Sequence, residues 1–261
     1  MKSFAVITPT IGTEYLRKCI ESLADQDCEH YLFVDGIKHL SAVQDILHSG
    51  PSPSHARLHT NIIAKNIGKG WYGHRVYSAA SFLVNEDVLC YMDEDNWAEP
   101  NYIQEFQEVF NDPKYQWAYT LRRIAAPDGK VIGPDNCESL GHWPVSFSGG
   151  TRFHIDTGCF AIPRELAVKV GHNWYGQWGA DRQFFAAVKA QAPEFGCTMK
   201  HTLNYRLGSE TSRATTEMFL HGDKLSQQAY IGERDYPWHE QRSPKKSPTQ
   251  FTYQTTNQKP L

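Results

Sequence analysis

Residues 88–95 read VLCYMDED and give the strongest indication of the fold. The first five of these residues form an apolar run typical of a strand that is buried on both faces, as in a parallel sheet. Three carboxylates, Asp93, Glu94 and Asp95, follow this run without a break. Because α/β proteins bind ligands at the carboxyl ends of parallel strands, the stretch predicts a strand that leads into a binding site.

Strand-like and helix-like segments alternate on the amino-terminal side of this stretch. Apolar runs at 4–8, 31–34 and 57–63 predict three more strands. Helix-like segments between them carry their apolar residues on one stripe, and Thr13 is the predicted N-cap of the first. This alternation predicts an α/β fold with a Rossmann-like, mainly parallel central sheet and helices on both faces.

The pattern changes after residue 112, which divides the predicted single domain into halves at 1–112 and 113–232. The second half contains a strand-like segment at 157–162 and, at 134–154, a long loop rich in Gly, Ser, His and Pro. Residues 233–261 are polar and contain prolines. We therefore predict a C-terminal tail there that lies on the surface or is disordered.

Composition and charge exclude several classes of protein. The net charge of −3 gives no broad electrostatic attraction to nucleic acid, so no nucleic-acid partner is expected. No two of the six cysteines are spaced as CxxC, which argues against a zinc knuckle. No apolar run approaches the roughly 20 residues that span a bilayer, and the N-terminus lacks a signal-peptide pattern. We expect a cytoplasmic protein without a transmembrane segment; peripheral membrane contact stays open.

The acidic triplet at 93–95 predicts a cation site. Carboxylate oxygens suit Mg²⁺ or Mn²⁺, which proteins usually bind together with substrate phosphates. Alternate residues of an extended segment point the same way, so Asp93 and Asp95 can share a site while Glu94 points elsewhere. The alternative is a solvated acidic loop that caps the helix near Pro100.

The chain resembles the family 2 glycosyltransferases of the GT-A fold over roughly residues 4–210. Six segments carry the resemblance and occur in the family's order. They are VITPT at 6–10, FVDG at 33–36, NIG at 66–68 with Arg75 beyond it, YMDEDN at 91–96 with Glu99-Pro100, DTGC at 156–159 and WGAD at 178–181. One departure is the second segment, where the family more often has Asp-Asp-Gly-Ser.

The resemblance implies a role for each of these segments. It makes 1–112 the nucleotide-binding half and 113–232 the acceptor-binding half. The implied metal is Mn²⁺ or Mg²⁺, held by Asp95 and Asp93 with His201 as a third ligand. Asp181 is implied as the general base, and Trp178 and Gly179 as acceptor-binding residues. The implied nucleotide-sugar-binding residues are Thr8, Pro9, Thr10, Asp35, Asn66, Lys69, Arg75, Asp93 and Glu94.

Most of these residues also have an ordinary structural interpretation. Asp35 can be a turn residue, Arg75 a surface ion-pair partner and Asp181 the N-cap of a helix. Trp178 can be a core residue, and His201 a structural histidine at a strand boundary.

The predicted function is metal-dependent transfer of a sugar from a nucleotide-sugar to a hydroxyl group. The expected donor is a UDP-sugar, the expected acceptor a carbohydrate or glycolipid, and the expected mechanism direct displacement with inversion. The family alone suggests bacterial surface polysaccharide or lipopolysaccharide synthesis. Three alternatives stay open: a nucleotidyltransferase of related fold, a non-catalytic nucleotide- or sugar-binding module, and a retaining transferase.

Overall fold

The computed structural model describes residues 1–49, 57–146, 151–208, 214–230 and 236–239. Their strands are β1 (Phe4–Thr10), β2 (Glu29–Asp35), β3 (Leu58–Ile63), β4 (Val88–Tyr91), β5 (Trp97–Ala98), β6 (Trp117–Ala125), β7 (Val131–Pro134), β8 (Val145–Ser146), β9 (Thr151–Arg152), β10 (Phe160–Pro163) and β11 (Phe195–Arg206). Their α-helices are α1 (Leu16–Leu23), α2 (Leu40–His48), α3 (His74–Ala80), α4 (Tyr102–Phe110), α5 (Arg164–Val170), α6 (Ala180–Gln191) and α7 (Thr216–Ala229).

In the described part of the chain, nine strands form one sheet. Its order is β3-β2-β1-β4-β10-β6-β11-β5, with β7 beside β6. The strands β1 to β4 are parallel. Because β10 is antiparallel to both β4 and β6, the strands β6 and β11 run in the same direction as β1 to β4. Six strands therefore share one direction, and the predicted mainly parallel α/β sheet is confirmed.

Helices cover both faces of this sheet. The two faces can be distinguished at β4, where Tyr91 packs its ring against Trp174 and Phe184, near α3 and α6. The preceding residue, Cys90, faces the other way and interacts with Tyr102 of α4. Every residue of β4 is buried, as expected for a central strand covered on both sides. Among the helices in the described part of the chain, none combines the length and the hydropathy of a membrane span.

The order of the strands reverses between β1 and β4. From β1 the chain continues outward to β2 and β3, and β4 then returns to the opposite side of β1. Such a reversal opens a crevice at the carboxyl ends of the two strands, and ligands of α/β proteins bind there. Residues 10–13 after β1 and 92–96 after β4 line this crevice.

Several local predictions need correction. Thr13 does not cap α1: the N-cap is Tyr15, no side chain caps the helix, and the Thr13 hydroxyl has no hydrogen-bond partner. The strand expected at 157–162 begins later, at Phe160, after a short 3-10 helix at Thr157–Cys159. The helix α7 was not predicted; the Thr215 hydroxyl caps it by accepting a hydrogen bond from the Met218 amide. Most of the loop expected at 134–154 is described, apart from 147–150.

The described part of the predicted tail, 236–239, packs into the domain. Trp238 is fully buried and donates a hydrogen bond from Nε1 to Oδ1 of Asn136 at 3.0 Å. Its ring lies beside those of Trp143 and Tyr236. The Tyr236 hydroxyl donates to Asp223 of α7 at 2.9 Å. Tyr236 and Trp238 therefore belong to the core, contrary to the predicted surface or disordered tail; the rest of that tail, 233–235 and 240–261, lies outside the described residues.

Candidate active site

Glu94 joins the two segments that line the crevice. Its carboxylate accepts hydrogen bonds from the Thr10 hydroxyl at 2.6 Å, the Ile11 amide at 3.2 Å and the Thr13 amide at 3.1 Å. The residue predicted to point away from its two aspartate neighbours thus holds the loop after β1. Its contacts fix the position of residues 10–13 relative to the acidic triplet.

Asp35, at the end of β2, holds the glycine-rich loop. Its two carboxylate oxygens accept hydrogen bonds from the amides of Ile67 and Gly68, both at 2.7 Å. A Cβ atom at Gly68 would lie 2.5 Å from Asp35 Oδ2, so this approach requires glycine. Within the same loop, the Asn66 side chain accepts a hydrogen bond from the amide of the exposed Lys69 at 2.7 Å. The carboxylate of Asp35 therefore fixes the glycine-rich loop beside the end of β2, a contact that a turn residue alone would not make.

The first two residues of the Thr8-Pro9-Thr10 segment face the protein. Thr8 is buried, and its hydroxyl lies 2.9 Å from Nε2 of His30 in the core. Pro9 lies under the glycine-rich loop, where a Cβ atom at Gly73 would be 3.1 Å from its Cγ. Thr10 contacts Glu94, as described above. These three residues shape the crevice through packing and through the backbone that they position.

Asp93 lies in a strongly negative environment. Burial raises its pKa well above the ordinary range, and the charges of Asp95, Asp156 and Asp181 raise it further. The Tyr77 hydroxyl donates a hydrogen bond to Asp93 Oδ1 at 2.7 Å, which offsets only part of this effect. Electrostatic interaction falls off with distance, so the acids after β4 and those of the second half lie near one another; the region that they border is here called the cleft.

Arg206 holds the acidic segment from its other side. Its Nε donates to the backbone carbonyl of Asp95 at 3.0 Å, and its Nη1 donates to the carbonyl of Pro127 at 2.7 Å. The guanidinium carbon lies 4.4 Å from the ring centre of Tyr15 and 5.0 Å from that of Trp97. The guanidinium is thus held in place by stacking as well as by hydrogen bonds.

Asp181 lies in the first turn of α6, in contact with His154. The distance between His154 Nε2 and Asp181 Oδ2 is 3.3 Å, and the other carboxylate oxygen accepts from the Arg182 amide at 2.9 Å. The N-cap position itself is occupied by Gly179, not by Asp181. His154 is only 5% exposed, and its Nδ1 has no hydrogen-bond partner.

Asp156 completes a group with His154 and Asp181. Among the described residues, these three form the group whose potential metal-ligating atoms all lie within 4.8 Å of one another. Burial raises the pKa of Asp156, with a further contribution from Asp181, although Arg122 opposes the shift. The Asp156 Oδ2 atom accepts from Arg122 Nη1 at 2.6 Å, so this group already has a fixed positive charge beside it.

Arg122 is a fully buried cation of the second half. Besides Asp156 it pairs with Asp135 at 2.8 Å and with Glu138. Although burial alone would raise the pKa of Asp135, Arg122 and backbone amides bring it below its ordinary value. A buried charge needs partners of this kind because isolated burial is very unfavourable.

Arg75 is stacked between aromatic rings. Its guanidinium carbon lies 3.6 Å from the ring centre of Trp71 and 5.0 Å from that of Tyr175. Its Nε is buried without a hydrogen-bond partner. Arg75 therefore makes a cation–π stack with these two rings, in contrast to the surface ion pair of the alternative interpretation.

The two predicted acceptor residues lie on an open loop before α6. Trp178 is 54% exposed, which excludes a role as a core residue. Gly179 has a φ of +86°, and a Cβ atom at this position would meet nothing within 4 Å. Glycine is required there by the left-handed backbone rather than by crowding.

The predicted third metal ligand, His201, lies within β11. It is 3% exposed, pairs with Leu121 of β6 in the sheet register, and has its ring 6.5 Å from that of His239. The histidine that the structure brings beside an acidic residue of the cleft is His154.

Three residues of the cleft are not among the site residues predicted from the sequence: Arg122, His154 and Arg206. Arg122 had a usable signal, because it is a charge within the apolar run of β6. His154 lies in the loop predicted at 134–154, and the composition of that loop does not distinguish it. No local signal marks Arg206, since its contact with Asp95 joins residues 111 positions apart.

Comparison with known proteins identifies the family. The sequence model of glycosyl transferase family 2 matches residues 5–186. The chain belongs to glycosyl transferase family 2, and the predicted family and class of enzyme, a glycosyltransferase, are confirmed. Membership removes the nucleotidyltransferase alternative.

Solved structures show the same fold. Crystal structures of S. aureus TarS are similar, one with a TM-score of 0.55 at 12% identity over 86% of this chain and 71% of the TarS chain. A TarS complex with UDP-GlcNAc gives 0.56 at 13% identity, over 86% and 65% of the two chains. At this identity the likeness establishes the fold alone, and the predicted GT-A fold is confirmed.

A sequence relative matches only part of the chain. An uncharacterized protein of Haemophilus influenzae is 40% identical over 53 residues. The matched stretch covers 20% of this chain and 36% of that protein.

Proposed function

We propose that the protein transfers a sugar from a UDP-sugar to a hydroxyl group of a carbohydrate or glycolipid acceptor, with inversion and with a divalent cation. The donor binds to the half formed by 1–112, and the acceptor to the half formed by 113–232. The observation that carries the proposal is that carboxylates from both halves of the domain lie around the carboxyl end of β4. Charges from both halves, Asp95 on one side and Asp156 and Asp181 on the other, act on the Asp93 carboxylate.

The residues after β4 fit a divalent cation. Placing Asp93 and Asp95 together is unfavourable while both are ionised, and a divalent cation would relieve that repulsion. Asp95 and Asp93 would hold Mn²⁺ or Mg²⁺, with His201 as the proposed further ligand. When bound, such an ion supplies positive charge that stabilises a diphosphate leaving group. The group of His154, Asp156 and Asp181 fits a cation less well, since Arg122 already neutralises one of its carboxylates.

The donor-binding surface is built from two loops. Glu94 and Thr10 fix the loop at 10–13, and Asp35 fixes the loop at 66–73. We assign the nucleotide to this surface, within reach of Asn66, Lys69 and Arg75. A TarS structure of the same fold contains UDP-GlcNAc and another contains UDP, which supports a UDP-sugar as donor.

Asp181 is proposed as the general base. An inverting transfer needs a carboxylate that removes the proton of the acceptor hydroxyl while its oxygen attacks the anomeric carbon. Asp181 lies on the half opposite the donor loops and is oriented by His154 and the Arg182 amide. Trp178 and Gly179 precede it on an open loop, where an acceptor can approach. The family association with bacterial surface polysaccharides makes such a saccharide the first acceptor to test.

A thermal-shift experiment tests the proposal. The wild-type protein is heated with UDP, ADP, UDP-GlcNAc and UDP-glucose, with and without Mn²⁺. We expect UDP to raise the melting temperature, and to do so far more with Mn²⁺ present, because a ligand bound only by the native state stabilises it. Asp95→Asn should abolish the effect of Mn²⁺, whereas Asn111→Asp, on the loop after α4, is the matched control. No stabilisation by any nucleotide would overturn the proposal.

The role of Asp181 requires turnover. Turnover can be measured as hydrolysis of the UDP-sugar, in which water takes the place of the acceptor hydroxyl. In this assay, Asp181→Asn should lower kcat by about a hundredfold or more, the range of general-base catalysis. UDP binding should be unchanged. A variant with near-normal kcat would show that the base lies elsewhere, and a wild-type protein that binds UDP but never turns over would favour the non-catalytic module.

A further inference from the structure

Three aromatic side chains lie on, or stack against, the loop that leads to the candidate base: Trp71, Tyr175 and Trp178, here called the aromatic row. Tyr175 is 61% exposed and Trp178 is 54% exposed, whereas Trp71 is partly buried. The ring centres of Trp71 and Tyr175 are 5.3 Å apart. Tyr175 and Trp178 lie on the short loop that leads into α6, whose first turn carries Asp181.

The aromatic row is held rigidly although it is exposed. Arg75 stacks at 3.6 Å on Trp71 and at 5.0 Å from the Tyr175 ring centre. Arg182 stacks on Trp178 at 4.7 Å. The loop itself is fixed by His74, whose Nδ1 donates to the Gly176 carbonyl at 3.1 Å. Large side chains that are exposed yet pre-positioned lose little conformational entropy when a ligand binds.

We propose that the aromatic row binds the saccharide portion of the acceptor, with sugar rings packed against Tyr175 and Trp178. The inference rests on the proposed function, because it assigns the ligand of the acceptor side of that same cleft. It also specifies a minimum length of the acceptor saccharide. At least one sugar residue contacts the aromatic row in addition to the sugar that carries the reacting hydroxyl. Trp71 comes from the donor-side loop, so both halves contribute to this surface.

The chemistry of the row favours a saccharide over a lipid chain. Pyranose rings present C–H groups on one face and hydroxyls around the edge, which suits an aromatic face bordered by hydrogen-bond donors. Here each aromatic ring has a guanidinium group beside it, from Arg75 or Arg182. A lipid chain would require a continuous apolar surface, and these cations interrupt it.

The position of the row fits a chain that runs past Asp181. Trp178 precedes the base by three residues, and the intervening Gly179 leaves open space where a Cβ atom would stand. A saccharide seated on Trp178 can therefore lie directly over the loop backbone. A neighbouring sugar is then assigned to Tyr175, the more exposed of the two rings, three residues earlier on the same loop.

The test uses the full chain with UDP and Mn²⁺ present. Saturation-transfer NMR is recorded with maltotriose, chitotriose and a β-1,3-linked galactotriose as probes, and with dihexanoyl phosphatidylglycerol as the lipid comparison. The variants are Tyr175→Ala, which removes the ring, and Tyr175→Phe, which keeps it. Phe82→Ala, at the end of α3, removes an exposed aromatic ring (67% exposed) outside the row and is the matched control.

We expect at least one trisaccharide to bind the wild-type protein and to bind Tyr175→Ala about threefold to tenfold more weakly, the range of one aromatic contact. Tyr175→Phe and Phe82→Ala should bind as the wild type does. Unchanged binding to Tyr175→Ala, binding of the lipid alone, or no trisaccharide signal while UDP still stabilises the protein would each overturn the assignment. Loss of UDP stabilisation in the wild type would instead count against the proposed function.

Discussion

Oε2 of Glu94 accepts a hydrogen bond from the Thr10 hydroxyl at 2.6 Å, which joins the loop after β1 to the segment after β4. The same carboxylate also accepts from two backbone amides of the loop. The middle residue of the acidic triplet thus connects the two walls of the crevice. Its role is to position the residues on either side of it.

Glu94→Gln should therefore weaken UDP binding. An amide has a single acceptor oxygen, so it cannot replace the carboxylate towards the Thr10 hydroxyl and both amides. Hydrogen bonds to a charged group contribute roughly 1.5–3 kcal/mol, so we expect UDP affinity in Mn²⁺ to fall about tenfold or more by calorimetry. Glu21→Gln, on the exposed side of α1, is the control. An unchanged Kd would show that the loop keeps its place without Glu94.

Arg206→Lys should destabilise the protein and loosen the cation site. Lysine cannot donate from the Nε position to the Asp95 carbonyl while stacking on Tyr15 and Trp97. We expect a loss of about 1–3 kcal/mol in the free energy of unfolding by denaturant titration. The Mn²⁺ concentration needed for half-maximal UDP binding should rise in parallel. Arg123→Lys, at a partly exposed pair with Glu99, should change neither quantity appreciably.

His154→Phe should lower turnover without affecting donor binding. The phenyl ring cannot donate to Asp181, whose carboxylate would then lose the partner now 3.3 Å away. We expect kcat to fall about tenfold, as for loss of one hydrogen bond to a charged group. His154→Gln keeps an N–H donor and should retain more activity. Equal losses in both variants, or a raised Kd for UDP, would refute a role in positioning Asp181.

Trp238→Ala should cost about 3–5 kcal/mol in the free energy of unfolding, the usual range for a large aromatic residue removed from a core. The ring is fully buried, and its removal also removes the hydrogen bond that Nε1 donates to Asn136. Leu220→Ala, at a position that is 56% exposed on α7, should stay within about 0.5 kcal/mol of the wild type. Chemical denaturation measures both; equal stability of the two variants would contradict the packing of 236–239.

Stability should fall as the pH drops below neutrality, because His30 is buried. Burial lowers its pKa from 6.5 to about 3, so the unfolded chain takes up a proton in this window and the native state does not. The free energy of unfolding should decline by up to about 1.4 kcal/mol per pH unit for this group as pH falls from 6.5 towards 3. His142, with a pKa lowered to about 4, adds a second decline of the same sign.

His30→Gln is the variant that isolates this effect. Denaturant titrations over the same pH range should show a shallower slope than those of the wild type. His48→Gln, at an exposed position, should keep the wild-type slope. If His30→Gln also keeps that slope, His30 does not contribute to the acid sensitivity.

The central part of the fold was predictable because its signals are local. The strands β1 and β4 are continuous apolar runs in the sequence. The apolar stripe of α1 is equally local, and its members are all buried: Leu16, Cys19, Ile20 and Leu23. What the sequence could not convey was the order of the second half. The strand β10 inserts antiparallel between β4 and β6, and no local pattern specifies this neighbour.

The candidate site was predictable in its residue types but not in its partners. Donor contacts of Asp35 and Glu94 stay a prediction, whereas the neighbouring loops that their carboxylates hold could not be predicted from the sequence. The contact between His154 and Asp181 has no signal in the sequence, because the two residues lie on different segments of the second half. These contacts join distant residues, such as Thr10 and Glu94 at a separation of 84, which spacing in a single sequence cannot reveal.

The burial of Trp238 bears on the order in which the molecule forms during synthesis. Its partner Asn136 lies 102 positions earlier, and Trp143 packs against the same ring. The parallel strands β1 to β4 can pair once the first hundred or so residues have left the ribosome, since chains generally fold from the N-terminus onward. The surroundings of Asn136, in contrast, are complete only after Trp238 has been synthesised. Until then those residues expose apolar surface, and premature termination of translation would leave it uncovered.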